Sequence, residues 1–541
     1  MIHKSLSFKK SPLIGLIILW IFSFILFYHG LGDVALRDFD EATVARVAYE
    51  ISQKDGLDQL LPSLWGNNYL NKPPGLHWLI AWMIKINAFS ETNILPSELI
   101  IRIVPAFISS IVIPIGGLIQ WKLRPNEKSS ALITSSILLT LLPIIRHGRL
   151  AMLDGTQLTA ISVFWLLLIS IDNSKKDLFK ILSAGLISSF MLLLKAPLLI
   201  PTAIAALIAM FRDNKRVKFI WIKWYLIGLI PGIAWHIWNG INTGEGALIL
   251  WFHNGAKRVL FEEGIGSDLG FLVPLIEIAE GGWPWILLLP FGLVMAWKER
   301  DTKWGKWVLS LSFIMGISIF SLRTQLPWYV HPMWLPFALI CAPALTRLTE
   351  NKFKGFGLDK WLKFVPNAWI LIGSILFCLG LLSSFGYIKG YDDYRIISLF
   401  VGSGWISGGF FIKKETFKLR ILGISCLIIG NFISLFILMG SPNWIWELNE
   451  NWSVKPIAEM VIKNDPTNII IKGSFERPSL NWYSNRKIRS YVSSEGNNWY
   501  LVKTMANTYE IKDKSCSKKD SKDEWAIFYC TKDDSFTKES K

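Results

Sequence analysis

Three carboxylates follow the first long apolar segment of the chain, residues 12–29. They are Asp38, Asp40 and Glu41, in the stretch LRDFDEATVARVAYEI that covers 36–51. Beside a membrane surface, a carboxylate can act as a general base that takes a proton from an acceptor hydroxyl. Asp40 and Glu41 can equally stabilise a helix start, because apolar residues recur at helical spacing after them and a negative charge in the first turn complements the helix dipole. Asp38 precedes this pattern, and we expect it to be interfacial only.

Two further charged residues lie at the ends of later apolar segments, Asp154 in RLAMLDG and Lys195 in LLLKAP. A charge near hydrocarbon costs a few kcal/mol on insertion scales, so such groups usually face a polar cavity or one another. Lys72, in NKPPGLHWL, can bind a phosphate or can reach the headgroups from an interfacial helix. Asp154 and Lys195 are therefore candidate functional residues, and both readings of Lys72 stay open.

Other candidate ligands lie in three polar stretches. Arg149 precedes Asp154 in RHGRLAMLDGTQ, His253 and Arg258 lie in WFHNGAKRVLF, and Tyr329 lies in RTQLPWYVHPMWLP. The arginines can contact a phosphate, whereas His253 can be a metal ligand, a phosphate contact or an ordinary loop histidine. The stretches that contain these residues are all expected on one face of a membrane.

The elements that must position these residues are membrane helices. The 541-residue chain is 52% hydrophobic and only 18% charged, and its mean hydropathy of +0.38 exceeds that of soluble globular chains. The apolar segments are rich in Leu, Ile and Phe without a period of two, which favours helices over a barrel. We count thirteen, near 12–29, 100–120, 130–145, 155–171, 181–194, 197–211, 225–240, 283–297, 307–321, 329–345, 368–388, 396–412 and 419–440.

The basic residues predict the orientation of these helices. With a cytoplasmic N-terminus, every Lys/Arg cluster between the segments falls on the same side, as the positive-inside rule requires. The net charge of +16 therefore indicates orientation in a membrane and not a nucleic-acid surface. Three long segments are then expected outside: 31–99, 241–282 and 441–541.

The last of these segments has a different composition. Residues 441–541 alternate polar and apolar residues in NIIIKGSF and KIRSYV around the helical pattern VKPIAEMVIKN, which predicts a small α/β domain. We expect an exported domain over 441–541 and a transmembrane domain over 1–440, with interfacial helices in 31–99. Cys516 and Cys530 both fall in the exported domain and are predicted to pair in an oxidising compartment; two free thiols are the alternative.

Taken together, these stretches resemble the GT-C class of polyprenyl-phosphate-dependent glycosyltransferases, in particular the aminoarabinose transferase and protein O-mannosyltransferase-like family. The resemblance lies in FDEATVARVAYEI, NKPPGLHWL, RLAMLDG, LLLKAP, HNGAKR, GGWPWILLLP and LPWYVHPMWLPFALI, in this order along the chain. It implies a GT-C fold of about thirteen transmembrane helices, with the N-terminus inside and the C-terminus outside. It covers nearly the whole chain.

The resemblance implies that a sugar leaves a polyprenyl phosphate and joins an acceptor hydroxyl or phosphate, with inversion, on the outer face of the plasma (bacterial inner) membrane. The acceptor can be lipid A, another glycolipid or lipid, a polysaccharide or a protein. Asp40 matches the acidic position of the family and is the expected base, and Asp154 is a second candidate. Lys72, Lys195, Arg149 and Arg258 are expected to contact the donor phosphate, and Glu41, His253 and Tyr329 to contact substrate. A divalent metal at His253 stays open, because the acidic residue that can precede Lys-Pro-Pro in that branch is Asn71 here.

Two other classes of function remain. A secondary transporter would have many spans and intramembrane charges, but its site would lie near the midplane between related repeats, whereas the candidates here cluster at outer ends. A membrane scaffold with an exported binding domain would leave Asp154 and Lys195 unexplained. Solute flux into vesicles would distinguish transport from the transfer of a sugar.

Overall fold

The computed structural model of the chain is mostly helical and groups into two compact units. The first unit comprises Met1–Leu31, Leu70–Leu76 and Arg102–Ile445, and the second comprises Gly32–Tyr69, His77–Ile101 and Trp446–Lys541. The residues that the structure describes are 11–87, 95–172, 174, 177–215, 217–244, 270–351, 355, 357–445, 452–466, 469–490, 498–503 and 516–530.

Long α-helices account for most of the described residues. From the N-terminus to the last apolar segment, these helices are Leu13–Tyr28, Glu41–Ser52, Gly75–Ile86, Glu98–Ser110, Val112–Leu123, Lys128–Thr140, Leu142–Arg149, Leu153–Ile169, Asp177–Lys195, Leu199–Arg212, Phe219–Thr243, Leu272–Gly281, Leu289–Lys298, Lys303–Phe320, Trp334–Glu350, Asp359–Ser384, Arg395–Ile412 and Phe417–Met439. Short 3-10 turns connect some of them, at Gly56–Leu60, Ala196–Leu198, Trp285–Leu288, Pro327–Met333, Asp392–Tyr394 and Pro442–Ile445.

By length and hydropathy, seven helices among the described residues can cross a membrane, or nine if two sharply bent helix pairs each form one span. Three further helices are apolar but shorter: Leu13–Tyr28, Gly75–Ile86 and Leu153–Ile169. This confirms a polytopic helical membrane protein. The count of thirteen spans and the orientation stay predictions.

The two predicted spans 181–194 and 197–211 are continuous in the structure. They form one helical stretch, Asp177–Arg212, which the 3-10 turn Ala196–Leu198 interrupts. At 1.5 Å per residue its 36 residues would extend about 54 Å, well beyond a hydrocarbon core of about 30 Å. The stretch is therefore longer than one crossing needs, and its break comes directly after Lys195.

Glycines set the packing of the last three long helices of the first unit. A Cβ atom built on Gly402 would lie 2.6 Å from the carbonyl oxygen of Gly373, and one built on Gly404 would lie 2.8 Å from the Cα atom of Gly430. Side chains at these positions would force the backbones apart. Close approach through small residues is the usual basis of helix association in lipid, where burial of apolar surface gives no driving force.

The second unit contains the predicted small α/β fold. Its C-terminal part has two helices, Val454–Asn464 and Pro478–Ser484, and a four-stranded sheet of strands Ile469–Lys472, Asn498–Lys503, Cys516–Lys522 and Trp525–Cys530. The first two strands pair in parallel, and the other pairs are antiparallel. Ser63–Leu64 and Asn67–Asn68 form a separate two-stranded hairpin.

Helical periodicity explains where the helix Val454–Asn464 lies. Val454, Ile457, Ala458 and Val461 are buried at the spacing of one helix face, and they pack into a core with Ile469 and residues of the sheet. This helix and the strand predicted in NIIIKGSF are confirmed. The strand predicted in KIRSYV is wrong for its described residues, 487–490, which form only an isolated bridge at Arg489.

The predicted disulfide is confirmed in the structure. Cys516 and Cys530 lie directly opposite each other on two antiparallel strands, and a disulfide joins them with their Cα atoms 4.1 Å apart. The bond closes a loop across a sequence separation of 14.

Removal of this disulfide is expected to destabilise the sheet. A double change of Cys516 and Cys530 to Ser in the full-length protein should lower the free energy of opening of strand Trp525–Cys530 by about 3 kcal/mol, because an unlinked loop of about 15 residues has more conformational entropy when unfolded. Hydrogen exchange of the strand amides measures this change. Two free thiols in non-reducing mass mapping of the wild type would contradict the pairing.

Candidate functional site

A partly buried ion pair is the centre of the candidate site in the first unit. Asp154 lies in the first turn of helix Leu153–Ile169 and is buried, and Lys195 ends helix Asp177–Lys195. The Lys195 Nζ atom lies 2.6 Å from Asp154 Oδ1. The helix cannot continue regularly here, because Pro197 in the following 3-10 turn lacks an amide hydrogen. Lys195 therefore lies where the regular helix is interrupted, and the structure brings the two predicted charged residues together.

Aromatic residues of the 3-10 turn Pro327–Met333 lie beside this pair. The Lys195 Nζ atom is 5.7 Å from the ring centroid of Tyr329, within the range of a cation–π contact. His331 is buried, and its ring meets that of His147 edge to face at 5.5 Å between centroids. Asp154 and Lys195 both act electrostatically on His331. Neither histidine was among the predicted site residues. Each nevertheless lies in a stretch that contains a predicted site residue, His147 in RHGRLAMLDGTQ and His331 in RTQLPWYVHPMWLP.

The segment that contains Lys72 packs against the segment that contains Lys195. Gly75 begins the helix Gly75–Ile86, and a Cβ atom built on it would lie 2.7 Å from the carbonyl oxygen of Leu193. Only glycine permits this approach without a backbone shift. The close contact therefore sets two predicted phosphate-binding lysines on neighbouring segments of the first unit.

Arg149 contacts protein groups in the structure, and its contact with a phosphate stays a prediction. Its side chain is fully buried, and it donates hydrogen bonds to the backbone oxygens of Leu26, at 2.7 Å, and Met439, at 3.2 Å. Its guanidinium also lies 4.4 Å from the ring centroid of Trp444. These contacts bind helix Leu142–Arg149 to two other parts of the first unit, so the structure gives Arg149 a packing role.

The predicted acidic helix is present in the second unit and begins at Glu41. Asp40 occupies the N-cap position and is partly exposed, but its side chain makes no capping hydrogen bond. Glu41 is fully buried, and its Oε2 atom accepts a hydrogen bond from the amide of Arg37 at 3.0 Å. Glu41 therefore holds the start of the helix, and Asp40 is the more accessible carboxylate.

Asp38 is not merely interfacial, in contrast to the prediction. It is buried and forms an ion pair with Arg477, whose Nε atom lies 2.5 Å from Asp38 Oδ2. The amide of Ser479 also donates to Asp38 Oδ1, at 2.9 Å. The partners are more than 400 residues away in sequence, so local spacing could not reveal them.

Glu50 holds the other end of the acidic helix to the hairpin. It accepts hydrogen bonds from Ser63 Oγ at 2.7 Å, from the amide of Trp65 at 2.6 Å and from Arg46 at 2.8 Å. Burial raises the pKa of Glu50, but the hydrogen bonds from Ser63, Arg46 and the amide of Gly66 outweigh it, so the net pKa is lowered. Glu50 therefore stays ionised and fixes the helix at neutral pH.

The remaining predicted ligands, His253 and Arg258, lie outside the described residues. Within the described ranges, no group of three or more His, Cys, Asp or Glu side chains could hold a metal ion. A metal site at His253 therefore stays a prediction.

Comparisons with known proteins identify similar glycosyltransferases. No protein-family model matches the chain. It is 24% identical over 320 residues to the undecaprenyl phosphate-alpha-4-amino-4-deoxy-L-arabinose arabinosyl transferase of Yersinia enterocolitica, an alignment that covers 57% of this chain and only 55% of that protein. It is 20% identical over 397 residues to the enzyme of the same name from Yersinia pestis, covering 70% of this chain and 68% of the relative.

Solved structures with the same fold cover almost the whole chain. ArnT from Cupriavidus metallidurans bound to undecaprenyl phosphate has a TM-score of 0.67 at 13% identity, over 95% of this chain and 98% of that one. The oligosaccharyltransferase AglB from Archaeoglobus fulgidus has a TM-score of 0.52 at 10% identity, over 93% and 70%. These relatives do not support a secondary transporter. The membrane-helical fold of this chain is the one found in ArnT and AglB, and its sequence is similar to those of the aminoarabinose transferases.

Proposed function

We propose that this chain is an integral-membrane glycosyltransferase that moves a sugar from a polyprenyl-phosphate donor to an acceptor. The observation that carries the proposal is the partly buried Asp154–Lys195 pair beside Tyr329, in a fold shared with a protein that binds undecaprenyl phosphate. A cation held in a partly desolvated position is suited to a lipid phosphate, since its electrostatic effect there is larger than in water.

The proposed roles follow from the charges that develop during transfer. When the bond between the anomeric carbon and the phosphate oxygen breaks, the departing phosphate gains negative charge, which Lys72 and Lys195 would stabilise. Asp154 orients Lys195 through their ion pair. Asp40 would take the proton of the acceptor hydroxyl as that oxygen attacks the anomeric carbon from the opposite face, which inverts its configuration.

We further propose which sugar this chain transfers. The names of the relatives make 4-amino-4-deoxy-L-arabinose the first candidate pentose, with a hexose as the alternative. The acceptor is a glycolipid such as lipid A, a polysaccharide or a protein. We place the reaction on the outer face of the bacterial inner membrane.

Comparison of a deletion strain with its parent tests the function. Mass spectrometry of lipid A, other glycolipids and glycoproteins should find one product that loses a sugar residue in the deletion strain and regains it on complementation. A mass difference of one aminoarabinose on lipid A would identify both substrates. Full glycosylation of every class in the deletion strain, with solute flux lost instead, would contradict the proposal.

The proposed orientation is tested by labelling of single cysteines in intact cells. In a background without Cys341, Cys378 and Cys426, a membrane-impermeant maleimide should label Lys487→Cys in the C-terminal domain but not Lys414→Cys in a basic loop. The expectation rests on the positive-inside bias. Lys414→Cys should react only after the membrane is permeabilised, and its reaction in intact cells would overturn the orientation.

A further inference from the structure

The turn that precedes the acidic helix is held by a buried cluster of the C-terminal domain, all within the second unit. Asp38 has 8% of its surface exposed and Arg477 has 1%. Arg477 Nε donates to one oxygen of Asp38 at 2.5 Å, and Ser479 donates to the other through both its amide and its hydroxyl. Both carboxylate oxygens therefore have charge-assisted partners, which restricts the rotation of Asp38.

Arg477 is itself fixed. Its Nη1 atom donates to the carbonyl oxygen of Trp452 at 2.7 Å, and its guanidinium lies 4.3 Å from the ring centroid of the same residue. Ser479 is fully buried in the first turn of helix Pro478–Ser484. The cluster thus belongs to the C-terminal α/β fold, which has its own hydrophobic core. It contacts the segment that precedes the acidic helix at Asp38.

The constraint on Asp38 extends directly to Asp40. Phe39 between them has a φ of +48°, a left-handed conformation that an aromatic residue rarely adopts and that surrounding contacts must impose. The amide of Asp40 donates to the carbonyl oxygen of Asp38, and the amide of Ala42 donates to the carbonyl oxygen of Arg37. This turn therefore fixes the backbone from which the Asp40 side chain extends, two residues after the buried Asp38.

We propose that Arg477 and Ser479 are positioning residues, which hold the Asp38 turn so that the Asp40 carboxylate faces the acceptor. This inference rests on the proposed function of Asp40. An error of about 1 Å in the position of a base can reduce turnover by about 100-fold without changing donor affinity. The C-terminal domain would then take part in catalysis through the placement of Asp40.

The test measures turnover and donor KM with purified full-length protein, undecaprenyl phosphate-linked 4-amino-4-deoxy-L-arabinose and lipid A. Arg477→Met should lower kcat by about 10- to 100-fold and leave donor KM within about twofold, because the phosphate contacts are unchanged. Ser479→Ala, which removes only one hydroxyl, should give a smaller loss of kcat. Arg486→Met is the matched control: this partly exposed arginine of the same domain binds Asp465 and the carbonyl oxygen of Pro466, and its loss should not affect turnover.

The decisive measurement repeats Arg477→Met in an Asp40→Asn background, with excess enzyme and long incubation. If Arg477 acts through Asp40, the second substitution should change the residual rate by less than about twofold, because effects of residues that act as a unit are not additive. An equal loss in both backgrounds, or no loss in the wild-type background, would overturn the inference. Full activity of Asp40→Asn alone would instead refute the function proposed for Asp40. If Arg477→Met does not fold, Ser479→Ala in the two backgrounds gives the same comparison.

Discussion

Replacement of Asp40 by asparagine is expected to reduce sugar transfer by about 100- to 10,000-fold, the usual effect of losing general-base assistance. Asparagine keeps the size of the side chain and remains a good residue at a helix N-cap, but it cannot accept the acceptor proton. The side chain of Asp40 makes no capping hydrogen bond, so loss of its charge should alter helix stability little. Initial rates with a saturating polyprenyl-phosphate sugar measure the effect.

The control is Asp58→Asn, in the exposed 3-10 turn Gly56–Leu60, which belongs to the same segment of the chain. It should transfer sugar at the wild-type rate, and both variants should unfold within a few degrees of the wild type in detergent. If Asp40→Asn is fully active while Asp154→Asn is not, then Asp154 is the base and the roles of the two acids are reversed.

Local sequence pattern was sufficient to predict two elements of the C-terminal part of the second unit. The helix in VKPIAEMVIKN matched its predicted bounds because its buried residues recur at helical spacing, and the strand in NIIIKGSF has three consecutive buried isoleucines. KIRSYV alternates polar and apolar residues, but its described part has no regular ladder. A period of two specifies which face a strand would bury, but it does not supply a neighbouring strand.

The predicted division between spans 181–194 and 197–211 shows what hydropathy alone does not detect. Hydropathy separated 181–194 from 197–211 at Lys195, whereas the backbone continues from one helix into the next through a single 3-10 turn. A charged residue lowers local hydropathy whether it ends a span or is neutralised by a partner. Asp154 supplies that partner, and no pattern within the segment itself could show it.

The residues of the candidate site were also predictable only in part. Residue type and position relative to the apolar segments indicated Asp154, Lys195 and Asp40, because charges beside hydrocarbon are costly unless they have a function or a partner. The roles of Asp38 and Arg149 required the fold. Their partners come from distant parts of the sequence, and such contacts are invisible to spacing arguments.

Lys195→Met is expected to lower turnover by about 100-fold, comparable with the loss of one electrostatic contact to a developing charge. Methionine keeps an unbranched side chain of similar length and removes the ammonium group. The contact should strengthen as the phosphate departs, so kcat should fall more than donor binding weakens. Turnover and donor KM, measured with the same polyprenyl-phosphate sugar, separate the two effects.

The same helix provides a matched control. Lys180 also pairs with an aspartate, since its Nζ atom lies 3.1 Å from Asp177 Oδ1, but it lies at the start of the helix, the end opposite Lys195, on the proposed cytoplasmic side. Lys180→Met should retain wild-type turnover, whereas Lys195→Arg should recover part of the activity lost in Lys195→Met because the positive charge returns. Near-normal turnover in both Lys72→Met and Lys195→Met would refute phosphate binding by these lysines.

Loss of stability is the competing explanation for any effect of Lys195→Met. Removal of one partner of a buried ion pair can cost about 3 to 5 kcal/mol, because it leaves the other charge buried without compensation. The double change Asp154→Asn with Lys195→Met removes both charges and should restore much of any stability lost in the single variant. If the double variant regains thermal stability but not turnover, then the cation at Lys195 is required for the chemistry of transfer and not only for neutralising Asp154.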